Sequence, residues 1–463
     1  MPVQNAATAS NTSTWPIIDD ASVTSTALLT DMYELTMVDA ALHSGTADRR
    51  CIFELFGRRL RSARRFGVVA GTARALEAIQ RFHFTDTQLR YLKDNAIISD
   101  KAISFLENFR FTGDIWGYAE GEMYFAGSPL LTVDAPFAQA CLLETVLLSI
   151  FNFDCAVASA ASRMTIAAHG RPCLDMGARR AHERAAVSAA RAAVIAGFAG
   201  TSDLEAGKRY GIPTIGTAAH AFTLLHDTEE EAFAAQIALM GTGTTLLVDT
   251  YDVLTGVRRA VQAANNAGGQ LGAVRLDSGD LVAQAFKVRG LLDELGATDT
   301  KITVTSDLDE YAIAALGAAP VDSYGVGTKL VTGSGIPTAA LVYKMVERAG
   351  SGGTMEPVAK RSESKSTVGG RKWAGRVIDP AGHAVEELLV SAPDEAHGLA
   401  VLAEHSARPL QVPLVRQGEI DKQWIGPEAL KAATLRHRES RNELPYHAWR
   451  LSEGEAGIPT TYL

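Results

Sequence analysis

Short apolar runs that each break off into acids, hydroxyls or glycine constrain this chain more than any other feature. Val274-Arg275-Leu276-Asp277-Ser278-Gly279-Asp280 is the fullest case, and Leu246 to Asp252, Ile302 to Asp307 and Asp322 to Lys329 repeat the arrangement. The runs are too short for helices. Helical stretches separate them, expected over Glu183–Phe198, Gly256–Ala267, Leu281–Leu295 and Asp309–Leu316. A spacing of about 20 to 30 residues is what repeated strand-helix units with parallel strands require. A parallel barrel and an open doubly wound sheet both fit, and the number of units favours a partial or irregular α/β barrel. Parallel strands all end on one face, so a polar site assembled from several loops is expected there.

A chain of 463 residues is too long for one typical core, so more than one domain is expected. The expected divisions are a flexible N-terminus over 1–25, an N-terminal α+β domain over 26–150, the barrel over 151–355 and a C-terminal region over 356–463. In the second of these, Thr30 or Asp31 is expected to cap a helix that holds Tyr33, and Cys51 to Phe56 alternates like a strand. An apolar helix from Phe137 to Phe151, continuing toward Arg163, joins it to the barrel. Asn152, Asp154 and Ser159 interrupt that helix and are expected to face a cleft. Ile212 to Ile215 is a further short apolar piece.

Lys+Arg 44 against Asp+Glu 53 gives a net charge of −9, which argues against a broad nucleic-acid surface but not against a small anionic substrate held by a local arginine cluster. Cys51, Cys141, Cys155 and Cys173 lack metal-finger spacing and disulfide density, so they are expected to be buried thiols. The first residues lack the basic start and apolar run of a secretory signal. No uninterrupted apolar stretch reaches about 18 residues, so no membrane association is expected and the expected location is cytoplasmic.

The candidate site residues at the strand ends are Asp249, Arg275, Asp277, Ser306, Asp307 and the turn Gly325, Gly327, Thr328. Each acid or hydroxyl alone has an ordinary reading as the cap of the next helix. The set is harder to dismiss. Gly325-Val326-Gly327-Thr328-Lys329 can hold a phosphate through backbone amides or can be a plain turn, and it is not a Walker loop. Arg179, Arg180 and Arg184 follow another strand end, where a guanidinium fork can clamp a planar carboxylate or simply sit at a helix start. Arg58, Arg59, Arg61, Arg64 and Arg65 form a second cluster, readable as solvated loop, subunit contact or phosphate site across an interface. His220 follows the Gly216 turn beside Ala218 and Ala219. It has room to accept a proton or a phosphoryl group, and it can equally be a core or capping histidine.

Leu28-Leu29-Thr30-Asp31-Met32-Tyr33-Glu34-Leu35-Thr36-Met37, Phe53 to Phe56, Gly177 to Ala181, Gly200 to Asp203, Gly216 to His220, Arg275 to Asp280 and Gly325 to Thr328, in that order, resemble the nicotinate phosphoribosyltransferases. The resemblance covers Leu28 to about Lys344. It implies an irregular α/β barrel with a second domain built from the beginning and end of the chain, so that the C-terminal region packs on the N-terminal domain. The implied activity joins nicotinate to phosphoribosyl pyrophosphate, giving nicotinate mononucleotide and pyrophosphate in NAD salvage. ATP hydrolysis is coupled through a phosphohistidine, with Mg²⁺ at the leaving group.

By the same resemblance His220 is the phosphorylated residue, Tyr33 lies by the pyridine ring and Arg179 faces the substrate carboxylate. Arg275 and Asp277 position the ribose and the pyrophosphate-bearing centre, Gly325, Gly327 and Thr328 take the 5′-phosphate, and Ser306 is expected to contact substrate. Asp249 and Asp277 are the expected magnesium neighbourhood. The family is dimeric, which gives Tyr33 and the Arg58–Arg65 cluster a place over the other subunit's site. Asp203 departs from the family's asparagine and is assigned no role. The match weakens after Gly350, where Lys360, Arg361, Lys365, Arg371 and Lys372 occur. Alternatives are a nicotinamide-specific relative, a phosphosugar-processing barrel enzyme and a non-catalytic interaction protein.

Overall fold

The computed structural model describes residues 25–61, 63–359 and 368–463. The expected flexible stretch ahead of Ser25, and Lys360, Arg361 and Lys365, lie outside the described residues. Six short strands form one parallel sheet, in the spatial order Gly200–Thr201, Cys173–Asp175, Ser323–Val326, Lys301–Val304, Ala273–Leu276, Thr245–Leu247. Val274, Leu276, Ile302, Val304, Tyr324 and Val326 are fully buried, as parallel strands covered on both faces must be.

The two edge strands, Gly200–Thr201 and Thr245–Leu247, are consecutive in the chain and do not pair with each other among the described residues. The sheet therefore curls into a half-barrel with an open seam. Ile212 to Ile215 supplies only a single parallel bridge, Thr214 to Thr201, at one side of that seam.

A seven-stranded sheet flanks the half-barrel, in the order Met355–Pro357, Leu341–Ala349, Arg50–Gly57, Leu131–Pro136, Asp114–Tyr118, Gln411–Arg416, Glu419–Ile420. The beginning of the chain, the segment leaving the half-barrel and the tail share it, so the second α+β region is indeed built from both ends. Arg50–Gly57 lies inside the sheet, between Leu341–Ala349 and Leu131–Pro136, and is buried at every position but the first. The alternation expected for Cys51 to Phe56 is absent because both faces are covered.

Asp31 occupies the N-cap position of the helix Met32–Ser44 without a capping side-chain bond. Thr30 instead bonds the Glu34 carboxylate. The long helix Glu144–Ala167 has a mean hydropathy of 1.4 over its most apolar window, and 72% of that window is buried within the fold. It runs unbroken across the expected 150/151 division. The three residues expected to face a cleft tie elements together instead: Asn152 Oδ1 accepts the Leu341 amide (2.8 Å), Ser159 Oγ accepts the Val68 amide (3.0 Å), and Asp154 pairs with Arg74 (2.5 Å).

The tail is locked by buried ion pairs. Arg376 and Glu387, directly opposite on the strands Lys372–Ile378 and Ala384–Ser391, are both 0% exposed and 2.7 Å apart. Glu387 also accepts the Tyr118 hydroxyl at 2.7 Å, and Arg408 reaches both Glu122 and Glu443 at 2.8 Å. Lys372 pairs with Glu54 at 2.8 Å and Arg371 with Asp134 at 3.2 Å, so these two basic residues are structural. The helix Pro427–Asn442 then braces the half-barrel helix Glu183–Ile195, with Thr434 Oγ1 donating to the Val194 carbonyl at 3.1 Å.

Candidate active site

Three strand-end loops carry two acids each, Asp249 and Asp252, Asp277 and Asp280, Asp307 and Asp309, and the structure separates their roles. The later acid caps the next helix: Asp252 accepts the Thr255 amide (2.9 Å), Asp280 the Ala283 amide (3.1 Å) and Asp309 the Ala312 amide (2.9 Å). Such a cap stabilises a helix by about 1 kcal/mol. Asp249 and Asp277, the earlier acids, cap nothing and turn into the mouth of the half-barrel.

Asp249 Oδ2 accepts the Asp277 amide and the Ser278 hydroxyl, both at 2.8 Å. Its Oδ1 is buried without a hydrogen-bond partner and lies 3.7 Å from His220 Nε2. Asp277 Oδ1 accepts the Thr305 hydroxyl, while Oδ2 is 3.9 Å from the same imidazole nitrogen. Both separations exceed a hydrogen bond. His220 Nδ1 is 3.1 Å from Thr250 Oγ1. His220 thus stands between two carboxylates and a hydroxyl from neighbouring strand ends, and its side chain is still 39% exposed.

The open seam explains how His220 arrives there. Thr214 lies beside Thr201 at one edge strand, and the chain then crosses the mouth through Gly216 to meet Asp249 and Thr250 beyond the other. A Cβ on Gly216 would meet nothing within 4 Å, so the crossing segment runs through open space. His220 begins the helix His220–Leu225.

Arg275 stands on the strand Ala273–Leu276, with Nε buried and unpartnered. Burial draws its pKa below the usual range, Asp277 and Asp249 offset this, and Arg179 nearby adds repulsion. Positive charge from two different strand ends therefore faces the same space as the two acids. Arg179 lies in the short turn Ala178–Arg180 and is exposed. Asp175 anchors that turn, accepting the Gly177 amide (2.8 Å) and the Thr201 hydroxyl (2.6 Å). Burial pushes the Asp175 carboxyl up.

Gly325 is inside the strand Ser323–Val326, where a Cβ would run into Thr305 (2.5 Å) and Met176 (2.6 Å), so glycine is required by packing. Gly327 and Thr328 follow at the strand end and open the short helix Thr328–Val331. Ser306 is exposed with φ at +135°, a conformation that L residues adopt only under strain. Asp307 is exposed beside it. A cavity of about 720 Å³ lined by Asp379, His383, Tyr446 and Ile458 contains none of these groups. The chemistry belongs at the mouth, where orphaned acid and guanidinium atoms converge.

Residues 28–152 match the nicotinate phosphoribosyltransferase (NAPRTase) N-terminal domain and residues 172–347 match the nicotinate phosphoribosyltransferase (NAPRTase) family. The chain belongs to the nicotinate phosphoribosyltransferase family. It is 52% identical over 441 residues to nicotinate phosphoribosyltransferase pncB1 of Mycobacterium tuberculosis, covering 94% of each chain. It is 39% identical to nicotinate phosphoribosyltransferase of Bacillus subtilis, covering 80% of this chain and 77% of that one. The crystal structure of human nicotinic acid phosphoribosyltransferase shares the fold, with a TM-score of 0.79 at 23% identity over 94% of this chain and 97% of the other.

Of the residues expected at the site of a nicotinate phosphoribosyltransferase, His220, Asp249, Arg275 and Asp277 meet at the mouth, and Arg179 is close enough to act on Arg275. Tyr33 does not join them within one chain. It is 45% exposed on the helix Met32–Ser44, beside Glu144 and Glu34, and burial followed by those acids pushes its phenol up to about 12.

The Arg58–Arg65 cluster divides. Arg64 is buried and donates to the carbonyls of Ala156 (3.1 Å) and Gly333 (2.8 Å), and Arg65 holds the carbonyls of Ser452, Glu453 and Glu455, so these two are structural. Arg59 remains exposed. Asp203 caps the helix Leu204–Tyr210 by accepting the Ala206 amide at 2.9 Å. Thr250, Thr305 and Thr201 are site or supporting residues that reading the sequence missed. Their signal was a hydroxyl adjoining a strand-end acid or ending a strand.

Proposed function

We propose the following division of labour for the transfer of a phosphoribosyl group from phosphoribosyl pyrophosphate to nicotinate, the step that makes nicotinate mononucleotide and pyrophosphate in NAD salvage. Arg179 faces the nicotinate carboxylate through its planar fork. The Gly327–Thr328 turn, together with Ser306, receives the phosphorylated sugar. Arg275 draws the pyrophosphate charge into the mouth, and Asp277 orients the ribose. The nicotinate ring nitrogen uses its own lone pair to form the bond to C1 of the ribose while the bond from C1 to the pyrophosphate oxygen breaks. No proton has to move. The side chains therefore act by alignment, by excluding water and by stabilising separated charge.

The observation that carries this reading is the convergence of His220, Asp249, Asp277 and Arg275 on one mouth in a chain of this family. Asp249 and Asp277 lie on one side of the imidazole and favour the proton on Nε2, which leaves the Nδ1 lone pair for the γ-phosphorus of ATP, with ADP leaving. Thr250 is the hydroxyl beside that nitrogen. A phosphoryl group there places negative charge at the mouth and biases the crossing segment that holds His220.

The residues fit Mg²⁺ as a partner of the substrate phosphates. Asp249 Oδ1 is an orphaned acceptor, and Mg²⁺ is commonly held by one or two carboxylates together with substrate phosphates. When bound, it neutralises charge on the leaving pyrophosphate. Among the described residues there is no group of three or more His, Cys, Asp or Glu able to hold a metal by itself.

A homodimer completes the site in this reading. Leu29, Met32, Tyr33 and Met37 are exposed on one face of the N-terminal region, and Leu224, Leu225 and Tyr251 are exposed near the mouth. One protomer would place its Tyr33 over the other's pyridine pocket. Four free buried cysteines suit the cytoplasm, which we propose as its location. The test is turnover of nicotinate and phosphoribosyl pyrophosphate with and without ATP. Nicotinate mononucleotide should form with matching pyrophosphate, faster when ATP is present. A higher kcat/KM for nicotinamide overturns the substrate assignment.

A further inference from the structure

A second basic cavity lies away from the mouth, where the N-terminal region meets the half-barrel. It has a volume of about 210 Å³ and is lined by Arg74, Arg81, Arg184 and Arg209 against Glu77 and Glu205. Two of the four guanidiniums are neutralised within the chain: Arg74 by Asp154 at 2.5 Å, and Arg209 by Glu77. The other two are not. Arg81 makes one side-chain bond, from Nε to the Glu77 carbonyl at 3.1 Å, and Arg184 makes none among the described residues. Burial, only partly offset by Glu77, holds the Arg81 guanidinium below its usual range, and Arg209 and Arg74 add repulsion; Arg184 stands exposed at the rim, and Glu205 is the one further carboxylate in the lining.

Two guanidiniums without a carboxylate partner, lining one cavity beside two that are paired, leave net positive charge for an anion to meet. Guanidinium forks match the oxygen geometry of phosphate. The cavity is smaller than the roughly 300–1,000 Å³ of pockets that take drug-sized ligands, a size that suits a compact oxyanion better than a nucleotide.

The placement gives such an anion a consequence. Arg74 lies on the helix Thr72–Gln80 and Arg81 caps its end, Arg184 lies in the first turn of Glu183–Ile195, and Arg209 on Leu204–Tyr210. Those last two helices directly follow the strand ends that carry Arg179 and Thr201. We propose that this cavity is a binding site for an inorganic oxyanion of the phosphate class, which clamps the N-terminal region to the two half-barrel helices behind the Arg179 turn. None of its lining residues belongs to the mouth, so the inference does not depend on the assignment of the reaction.

The experiment is titration of the full chain with inorganic phosphate, by calorimetry and by thermal unfolding, against potassium chloride at matched ionic strength. The variants are Arg81→Gln/Arg184→Gln, the exposed single change Arg184→Gln, and Arg275→Gln/Thr328→Ala at the mouth. Phosphate should raise Tm in the parent beyond chloride. The binding component should survive Arg275→Gln/Thr328→Ala and weaken at least about tenfold, about 1.4 kcal/mol, in Arg81→Gln/Arg184→Gln. If the double change fails to fold, Arg184→Gln alone should weaken it by about threefold. Phosphate binding unchanged in the cavity variants, or a chloride effect equal to that of phosphate, overturns the proposal. A chain that binds phosphate here but fails to turn over nicotinate would refute the proposed reaction and leave this site standing.

Discussion

The junction around Arg376 and the mouth around His220 both gather acids and bases from distant parts of the chain, yet they treat charge in opposite ways. At the junction Arg376 and Glu387 are fully buried and pair directly across two strands, Glu387 also accepting from Tyr118 and Ser128 and Arg376 also facing Ser440 and Glu122, so that each charge meets an opposite one although the Nε atoms of Arg376 and Arg408 have no partner. At the mouth Asp249 Oδ1 and Arg275 Nε are buried without partners, and His220 stands beyond hydrogen-bond distance from both acids. Charges that the chain pairs with one another hold elements together. Arg275, which has no carboxylate within ion-pair distance among the described residues, is open to charge from outside.

The largest effect should come from breaking the paired network. Arg376→Ala leaves Glu387 buried without its cation, and should cost about 3–5 kcal/mol of stability. Denaturant unfolding measures this, and a loss within experimental scatter would mean the tail is not locked by this pair. Asp277→Ala should show the reverse pattern. It should lose about 2–4 kcal/mol of transition-state stabilisation in kcat/KM while its unfolding midpoint stays near that of the parent. Near-normal turnover in the folded variant removes Asp277 from the site.

Glu34 sharpens the comparison because it lies between the two cases. It is buried, with Thr145 and Thr30 as hydrogen-bond donors but no cation, and burial raises its carboxyl from 4.5 to about 7. The folded state therefore holds a proton that the unfolded state releases. The stabilisation is fully present below the unfolded value of 4.5 and is lost as pH rises through about 7. Relative to Glu34→Gln, the parent should lose roughly 2–3 kcal/mol between about pH 5 and about pH 8. Parallel pH profiles for the two proteins would contradict it. The smallest expected effect is Arg179→Lys, which keeps charge but loses the planar fork, and should raise KM for nicotinate and weaken discrimination against nicotinamide by about 1–3 kcal/mol. An unchanged KM would transfer the carboxylate contact to Arg180.

The strand ends were legible because buried parallel strands must be short and apolar, and their loops must be polar. Ala273–Leu276, Lys301–Val304 and Ser323–Val326 fall where the sequence placed them, and the helices after the first two do too. What the sequence hid was pairing between distant segments. Nothing local says that Gly200–Thr201 and Thr245–Leu247 stay apart, or that the segment crossing between them carries His220 to Asp249. Nor does a strand pattern tell a half-covered strand from one buried on both faces, which is why Arg50–Gly57 was expected to alternate. The capping acids Asp252, Asp280 and Asp309 differ from Asp249 and Asp277 only by their offset from the strand end, a distinction that becomes visible once the helices have started. Arg64 resembled its neighbours in the sequence, and its burial is a tertiary fact.

Labelled ATP decides most directly whether the mouth is a site of ATP-coupled transfer working through His220. The parent should form an acid-labile, base-stable phosphoryl adduct, absent from His220→Asn, with that variant retaining a slower ATP-independent formation of nicotinate mononucleotide. An adduct that persists in His220→Asn, or a variant without the adduct whose turnover is still fully stimulated by ATP, would contradict coupling through His220.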